Sequence, residues 1–248
     1  MITHIPMMIH PRPLSVLVVG GGDGGVIREV CKHACVEKIT LVEIDQKVID
    51  VAREFLGETL ATSFDDPRLT IVMGDAAEYL QNQNLHGRQG YDIIVADSSD
   101  PVGPAETLFD PSFYEQMYEA LNDGGIMCSQ GECFWTQPDL VCNVIACCED
   151  IFDNVSYAST SVPTVPTGQI GFIVASKGEN VILHKPSREM TPALQQKLKW
   201  YTPAVHRAAF ALPRFLEEKL GIANDEEEYD SDGGEDGNEC FLKGCSIS

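Results

Sequence analysis

Alternating strand and helix signals predict an α/β fold, a doubly wound and mostly parallel sheet with an antiparallel hairpin at one edge. Three observations carry that prediction. Two β-branched runs, Leu14–Val19 and Ile39–Val42, bracket a helical stretch from Gly24 to about Ala34, which makes a βαβ unit. The alternation then repeats, with short apolar strands at Leu69–Met73, Tyr91–Ala96 and Gly125–Cys128 and helices at Gln46–Phe55, Ala76–Asn82 and Ser112–Leu121. After Pro138 a helix to about Ile151 leads into Val155–Val162 and Ile170–Ser176, joined by the turn-rich PTVPTG, a spacing suited to a hairpin. Thr191–Trp200 and Pro203–Leu220 read as closing helices, and residues 82–90 as a surface loop.

Composition bounds the function. A chain of 248 residues with 44% aliphatic and aromatic content can bury one large core. No apolar run approaches the roughly 20 residues that span a bilayer, and MITHIPMMIHPRP lacks the basic and apolar regions of a secretory signal. Nine cysteines, an odd number placed mostly in apolar segments such as those of Cys31, Cys128, Cys142 and Cys147, fit a reducing cytoplasm better than a disulfide framework. No CxxC pair with matching histidines predicts a metal site. From Asp225 onward nine acids face one base, Lys243, so eight of the 21 net negative charges sit in a Gly-rich tail expected to be disordered. The acidic body that remains repels nucleic acid and attracts cations.

The first strand ends in Gly20-Gly21-Gly22-Asp23-Gly24-Gly25, in which Gly20, Gly22 and Gly25 satisfy GxGxxG at a strand-to-helix turn. Glu43 closes the second strand 21 residues beyond Gly22, where an acid can accept hydrogen bonds from ribose hydroxyls. Strand, helix and acid in register predict a bound nucleoside. Asp23 narrows its identity: a carboxylate within the glycine turn repels a pyrophosphate but suits a sulfonium nucleoside, which is cationic and carries no phosphate. Asp75, in the Gly74-Asp75 pair after the third strand, can accept a bond from an adenine amino group, cap the following helix, or do both.

The fourth strand, YDIIVA, runs into Asp97-Ser98-Ser99-Asp100-Pro101, at the sheet edge where open α/β folds bind ligands. Two carboxylates on one short loop can divide the labour, one anchoring an ammonium group and the other taking a proton from an attacking amine. The same composition also suits a turn held by Asx and Ser side-chain bonds.

Taken together, GGGDGG, the acid of VEID, Gly74-Asp75, DSSDPVGPAETLF, QGEC, PTGQIGF and VHRAAF resemble the spermidine synthase family of polyamine aminopropyltransferases, from residue 4 to about 220. The resemblance implies a Rossmann-like sheet of the S-adenosylmethionine-dependent methyltransferase type. It implies decarboxylated S-adenosylmethionine as co-substrate, with no prosthetic group or metal, and putrescine as acceptor. On this likeness Asp23 meets the aminopropyl ammonium, Glu43 the ribose, and Asp75 with Ala76 the adenine. Asp97 is the general base, Asp100 with the Ser98–Ser99 backbone holds the putrescine ammonium, and Gln130 lines the diamine channel.

Family members also carry a β-rich N-terminal domain that helps build a dimer. This chain opens at HIPMMIHP, so residues 1–13 are expected to be the remnant of a linker, 14–221 the catalytic domain and 222–248 the acidic tail. Val165 stands where the family shows a tyrosine that contacts the diamine. A catalytically impaired homologue acting as a regulatory or binding subunit is one alternative function, motivated by Val165 and by the opening of the chain. A diamine methyltransferase is the other, disfavoured because Asp23 would repel the carboxylate of a methyl donor. The final Cys245-Ser246-Ile247-Ser248 fits a prenylation signal or is an incidental cysteine of the tail.

Overall fold

Strands rich in Val, Ile and Leu turn alternate residues to opposite faces of their sheet, and that alternation accounts for the layers of the molecule. The computed structural model describes residues 1–85, 90–98, 108 and 110–222. Its sheet has seven strands: β1 (Ser15–Gly20), β2 (Lys38–Glu43), β3 (Leu69–Met73), β4 (Tyr91–Asp97), β5 (Leu121–Gln130), β6 (Asn154–Ser161) and β7 (Gln169–Ser176). They lie in the order β3-β2-β1-β4-β5-β7-β6. Neighbours from β3 to β5 pair parallel, while β7 pairs antiparallel with both β5 and β6. The expected parallel sheet with an antiparallel edge hairpin is therefore present.

Val16 and Val18 of β1, Ile39 and Leu41 of β2, and Ile93 and Val95 of β4 belong to the core on one face. There they meet α1 (His4–Ile9) through Ile5, α2 (Gly25–Cys31) through Val26 and Ile27, α3 (Gln46–Leu56) through Ile49, and α8 (Pro203–Ala209) through Ala209. Leu17, Val19, Val42, Ile94 and Ala96 fill the other face. They pack under Leu80 of α4 (Ala76–Leu85), Phe113 and Met117 of α5 (Pro111–Ala120), Val141 and Ile145 of α6 (Pro138–Glu149) and Leu216 of α9 (Arg214–Leu220). Full burial of each such aliphatic stabilises the fold by roughly 1.5–3 kcal/mol, so both faces of the sheet are needed. No helix among the described residues is long and apolar enough to cross a membrane.

Several boundaries differ from expectation for identifiable reasons. Residues 1–13, expected as linker, contain α1, all six residues of which are buried. Pro6 is tolerated there because it sits in the first turn, where its missing N–H would have had no helical partner. The helix expected over Pro203–Leu220 is two helices, because Pro213 lacks an N–H and pushes Leu212 out of the helical region. Thr191–Trp200 reduces to α7 (Pro192–Gln195), capped by the Thr191 hydroxyl. Residues 82–85, expected in a loop, are the last turn of α4, and 86–89 lie outside the described residues. β5 is longer than the expected Gly125–Cys128: Leu121 pairs with Tyr91, Gly124 adopts a left-handed φ of 77° in the irregular stretch that follows, and pairing with β4 resumes at Ile126. The acidic tail beyond Ile222, with Cys245, lies outside the described residues.

Candidate active site

In a doubly wound sheet the crevice forms outside the carboxyl ends of the strands where the order reverses, here between β1 and β4. The register places Gly20 directly beside Asp97 there, with Glu43 beside Met73 one strand further out. A cavity of about 480 Å³ opens at this edge. Gly20, Gly22, Asp23, Glu43, Asp75, Ala76, Asp97 and Ser98 all line it. The sequence reading therefore brought eight of its named residues to one place.

Two glycines make the geometry possible. Gly20 holds φ of 69° and lies so close to the chain beyond β4 that a Cβ would stand 2.5 Å from the Asp97 carbonyl oxygen. A Cβ on Gly22 would stand 2.6 Å from Glu43 Oε2, which instead accepts a hydrogen bond from the Gly22 amide at 3.1 Å. Glu43 Oε1 accepts another from the Asp45 amide at 3.0 Å, so this buried carboxylate is fixed by two backbone donors.

The neighbouring acids are fixed in the same manner. Asp23 Oδ1 accepts from the Gly25 amide at 2.7 Å, which explains why Gly25 matters although it does not itself line the cavity. Asp75 Oδ1 accepts from the Glu78 amide at 2.9 Å, so the helix-capping reading holds while the residue also faces the cavity. Asp45, unremarked in the sequence, caps α3 through the Lys47 amide at 2.9 Å and is a further wall acid.

Asp97 differs from these. Burial, reinforced by the Asp23 carboxylate, pushes its carboxyl up to about 6 from an ordinary 3.8. No hydrogen-bond donor among the described residues is seen to reach its side chain. Its Oδ2 lies over Gly21, where a Cβ would come within 3.1 Å.

Sequence reasoning missed the apolar part of the wall: Val19, Val42, Ile44, Val48 and Leu108. Ile44 and Val48 are exposed large aliphatics, a signal visible only once the fold sets them at the cavity mouth. They offer a flat ring somewhere to lie. Along the described lining there are five carboxylates, at positions 23, 43, 45, 75 and 97, and no lysine or arginine. Such a cavity selects a cationic ligand with an apolar ring and disfavours phosphate.

Two named residues are not part of its lining. Gln130, at the end of β5, borders a separate small recess with Gly131, Glu132, Ile173 and α6 residues. Val165 is half-buried in the β6–β7 turn, its amide donating to the Val162 carbonyl at 3.1 Å and its carbonyl accepting from Gly168 at 2.8 Å. Ser99 and Asp100 lie outside the described residues.

Residues 1–185 match the spermine/spermidine synthase domain. A spermidine synthase of Dictyostelium discoideum is 46% identical over 90% of this chain and 76% of its own length. A spermine synthase of Arabidopsis thaliana is 45% identical over 89% of this chain and 62% of its own. A crystal structure of a spermidine synthase in complex with the transition-state analogue AdoDATO superposes with a TM-score of 0.78 at 35% identity, covering 90% of this chain and 74% of the other. With the motifs, the sheet order and the acidic cavity all in place, the chain belongs to the spermine/spermidine synthase family of aminopropyltransferase enzymes.

Proposed function

We propose that this chain transfers the aminopropyl group of decarboxylated S-adenosylmethionine to putrescine, giving spermidine and methylthioadenosine. The observation that carries the reading is the described cavity lining, five carboxylates and no lysine or arginine, set beside apolar side chains at the sheet edge. Both substrates are cations, and the donor adds a purine ring.

Glu43, held by two backbone amides, offers its remaining lone pairs to the ribose hydroxyls. Asp75 and Ala76 take the adenine edge, with Ile44, Val48 and Leu108 against its faces. Asp23, pinned by Gly25, serves the aminopropyl ammonium. By the family resemblance, the distal ammonium of the diamine falls to Ser98, Ser99 and Asp100, with Gln130 and Val165 as further acceptor-side residues.

Asp97 stands between the two substrates as general base. A carboxylate raised to about 6 is better matched to proton abstraction near neutrality than an ordinary aspartate. It takes a proton from the near ammonium. The freed nitrogen lone pair forms a bond to the propyl carbon as the carbon–sulfur bond breaks, and that electron pair returns to sulfur. The sulfonium is a good leaving group, so the protein supplies chiefly positioning and fixed counter-charges.

The same reading carries a cytoplasmic setting and, for a full-length form with the β-rich N-terminal domain, a homodimeric assembly. The decisive experiment incubates the purified chain with decarboxylated S-adenosylmethionine and either putrescine or spermidine. Methylthioadenosine with spermidine from the first acceptor is expected; no methylthioadenosine with either acceptor would sink the proposal, and turnover of spermidine alone would make spermine the product.

A further inference from the structure

Among the described residues Glu132 is the one non-glycine with positive φ, at 48°. Backbone of that kind persists where its surroundings over-determine it, and such positions cluster at functional sites. Its surroundings here are specific. The Glu132 carbonyl accepts two hydrogen bonds, from the Tyr157 hydroxyl at 2.8 Å and from the Gly171 amide at 2.8 Å. The Gly131 amide donates in return to the Gly171 carbonyl at 2.9 Å. Tyr157 is buried on β6, across the hairpin from Ile173. Gly171 must lack a side chain, since a Cβ would overlap the Tyr157 hydroxyl and stand 2.5 Å from the Glu132 carbonyl.

This clamp lies where β5 ends. Ser129 is the register partner of Ala96, so Gln130 stands next to Asp97 at the carboxyl edge of the sheet. The two residues after Gln130 are those that the clamp holds. An ordinary strand would run on past this edge; the left-handed turn at Glu132 stops it and sends the chain toward α6.

We propose that Tyr157 is a positioning residue for the acceptor side of the active site. Its hydroxyl locks the Glu132 carbonyl and so fixes Gln130 and Gly131 beside Asp97, while the donor side, built on β1 to β3, is independent of it. This rests on the aminopropyltransferase reading above, and its test separates the two.

Tyr157→Phe removes one hydroxyl and keeps the buried ring. At saturating donor, the acceptor KM is expected to rise about five- to tenfold, as for one lost buried hydrogen bond, with the donor KM within about twofold of the parent. The Gly131 amide should exchange with solvent faster by a similar factor. Glycine adopts positive φ without strain, so in a Glu132→Gly background the same Tyr157→Phe change should raise the acceptor KM less, a non-additive cycle.

Equal rises in both KM values, strict additivity, or unchanged exchange at Gly131 would each overturn the proposal. If the parent chain makes no methylthioadenosine, the aminopropyltransferase reading fails; Gly131 exchange in the parent and Tyr157→Phe then judges the clamp by itself.

Discussion

The two sides of the crevice hold their acids differently. On the β1–β3 side, Asp23, Glu43 and Asp75 each accept from backbone amides, at 2.7 Å, 3.0 and 3.1 Å, and 2.9 Å respectively. On the β4 side, Asp97 is half-buried with Asp23 as its electrostatic neighbour, and its carboxyl is raised to about 6. Carboxylates bound to backbone amides are held in fixed positions, which suits binding a permanently cationic donor. A carboxylate that is costly to ionise suits accepting a proton. On the proposed mechanism, the contrast separates a binding half from a chemical half.

Removing the charge from the chemical half gives the largest expected effect. Asp97→Asn should lower kcat by roughly 10²–10⁴, the usual contribution of a general base, while donor affinity changes little. Steady-state kinetics with a calorimetric donor titration checks both, and a variant retaining more than a tenth of the parent kcat would erase the distinction.

The same substitution should stabilise the empty protein. A folded carboxyl at about 6 keeps its proton to higher pH than the unfolded group at 3.8. Between these values the folded state binds more protons, so stability from this group falls as pH rises through 4 to 6 and the full cost is present above 6. By linkage that cost is about 3 kcal/mol at neutral pH. Denaturant titrations should show Asp97→Asn ahead of the parent by up to that amount at pH 7 and level with it near pH 4. In parallel, kcat/KM of the parent should fall as pH drops below about 6.

On the binding half, Glu43→Gln keeps the shape but turns a fixed anion into an amide facing the Gly22 and Asp45 N–H groups. The lost charge-assisted bonds correspond to about 1.5–3 kcal/mol, or roughly a ten- to hundredfold weaker donor Kd. Loss of kcat with an unchanged donor Kd would mean that the two halves share their work.

The gathering of these acids at one edge was legible beforehand because it is written in local sequence. Strand-to-helix turns at GGGDGG, VEID and GD place acids at strand ends, and parallel topology carries strand ends to one edge. What stayed hidden depends on tertiary neighbours. Ile44 and Val48 read as ordinary aliphatics until the crevice exposes them. The raised Asp97 carboxyl comes from burial that no motif encodes. The Glu132 clamp joins the end of β5 with β6 and β7, and α1, at six residues, is too short to show a helical period.

Asp75 offers the smallest but sharpest test, because it belongs to the binding half by position while its hydrogen bond is that of a helix cap. Its Oδ1 caps α4 through the Glu78 amide, and asparagine caps as well as aspartate. Asp75→Asn should therefore leave stability within about 0.5 kcal/mol, whereas Asp75→Ala should lose about 1 kcal/mol with the cap. If the carboxylate also serves the donor, both variants should weaken donor Kd by a similar few-fold factor, since a single hydrogen bond at this exposed position is worth about 0.5–1.5 kcal/mol. Should only the alanine variant lose affinity, and in step with its stability, Asp75 would act on the donor solely by holding α4 in place. The binding half would then consist of Asp23 and Glu43 alone.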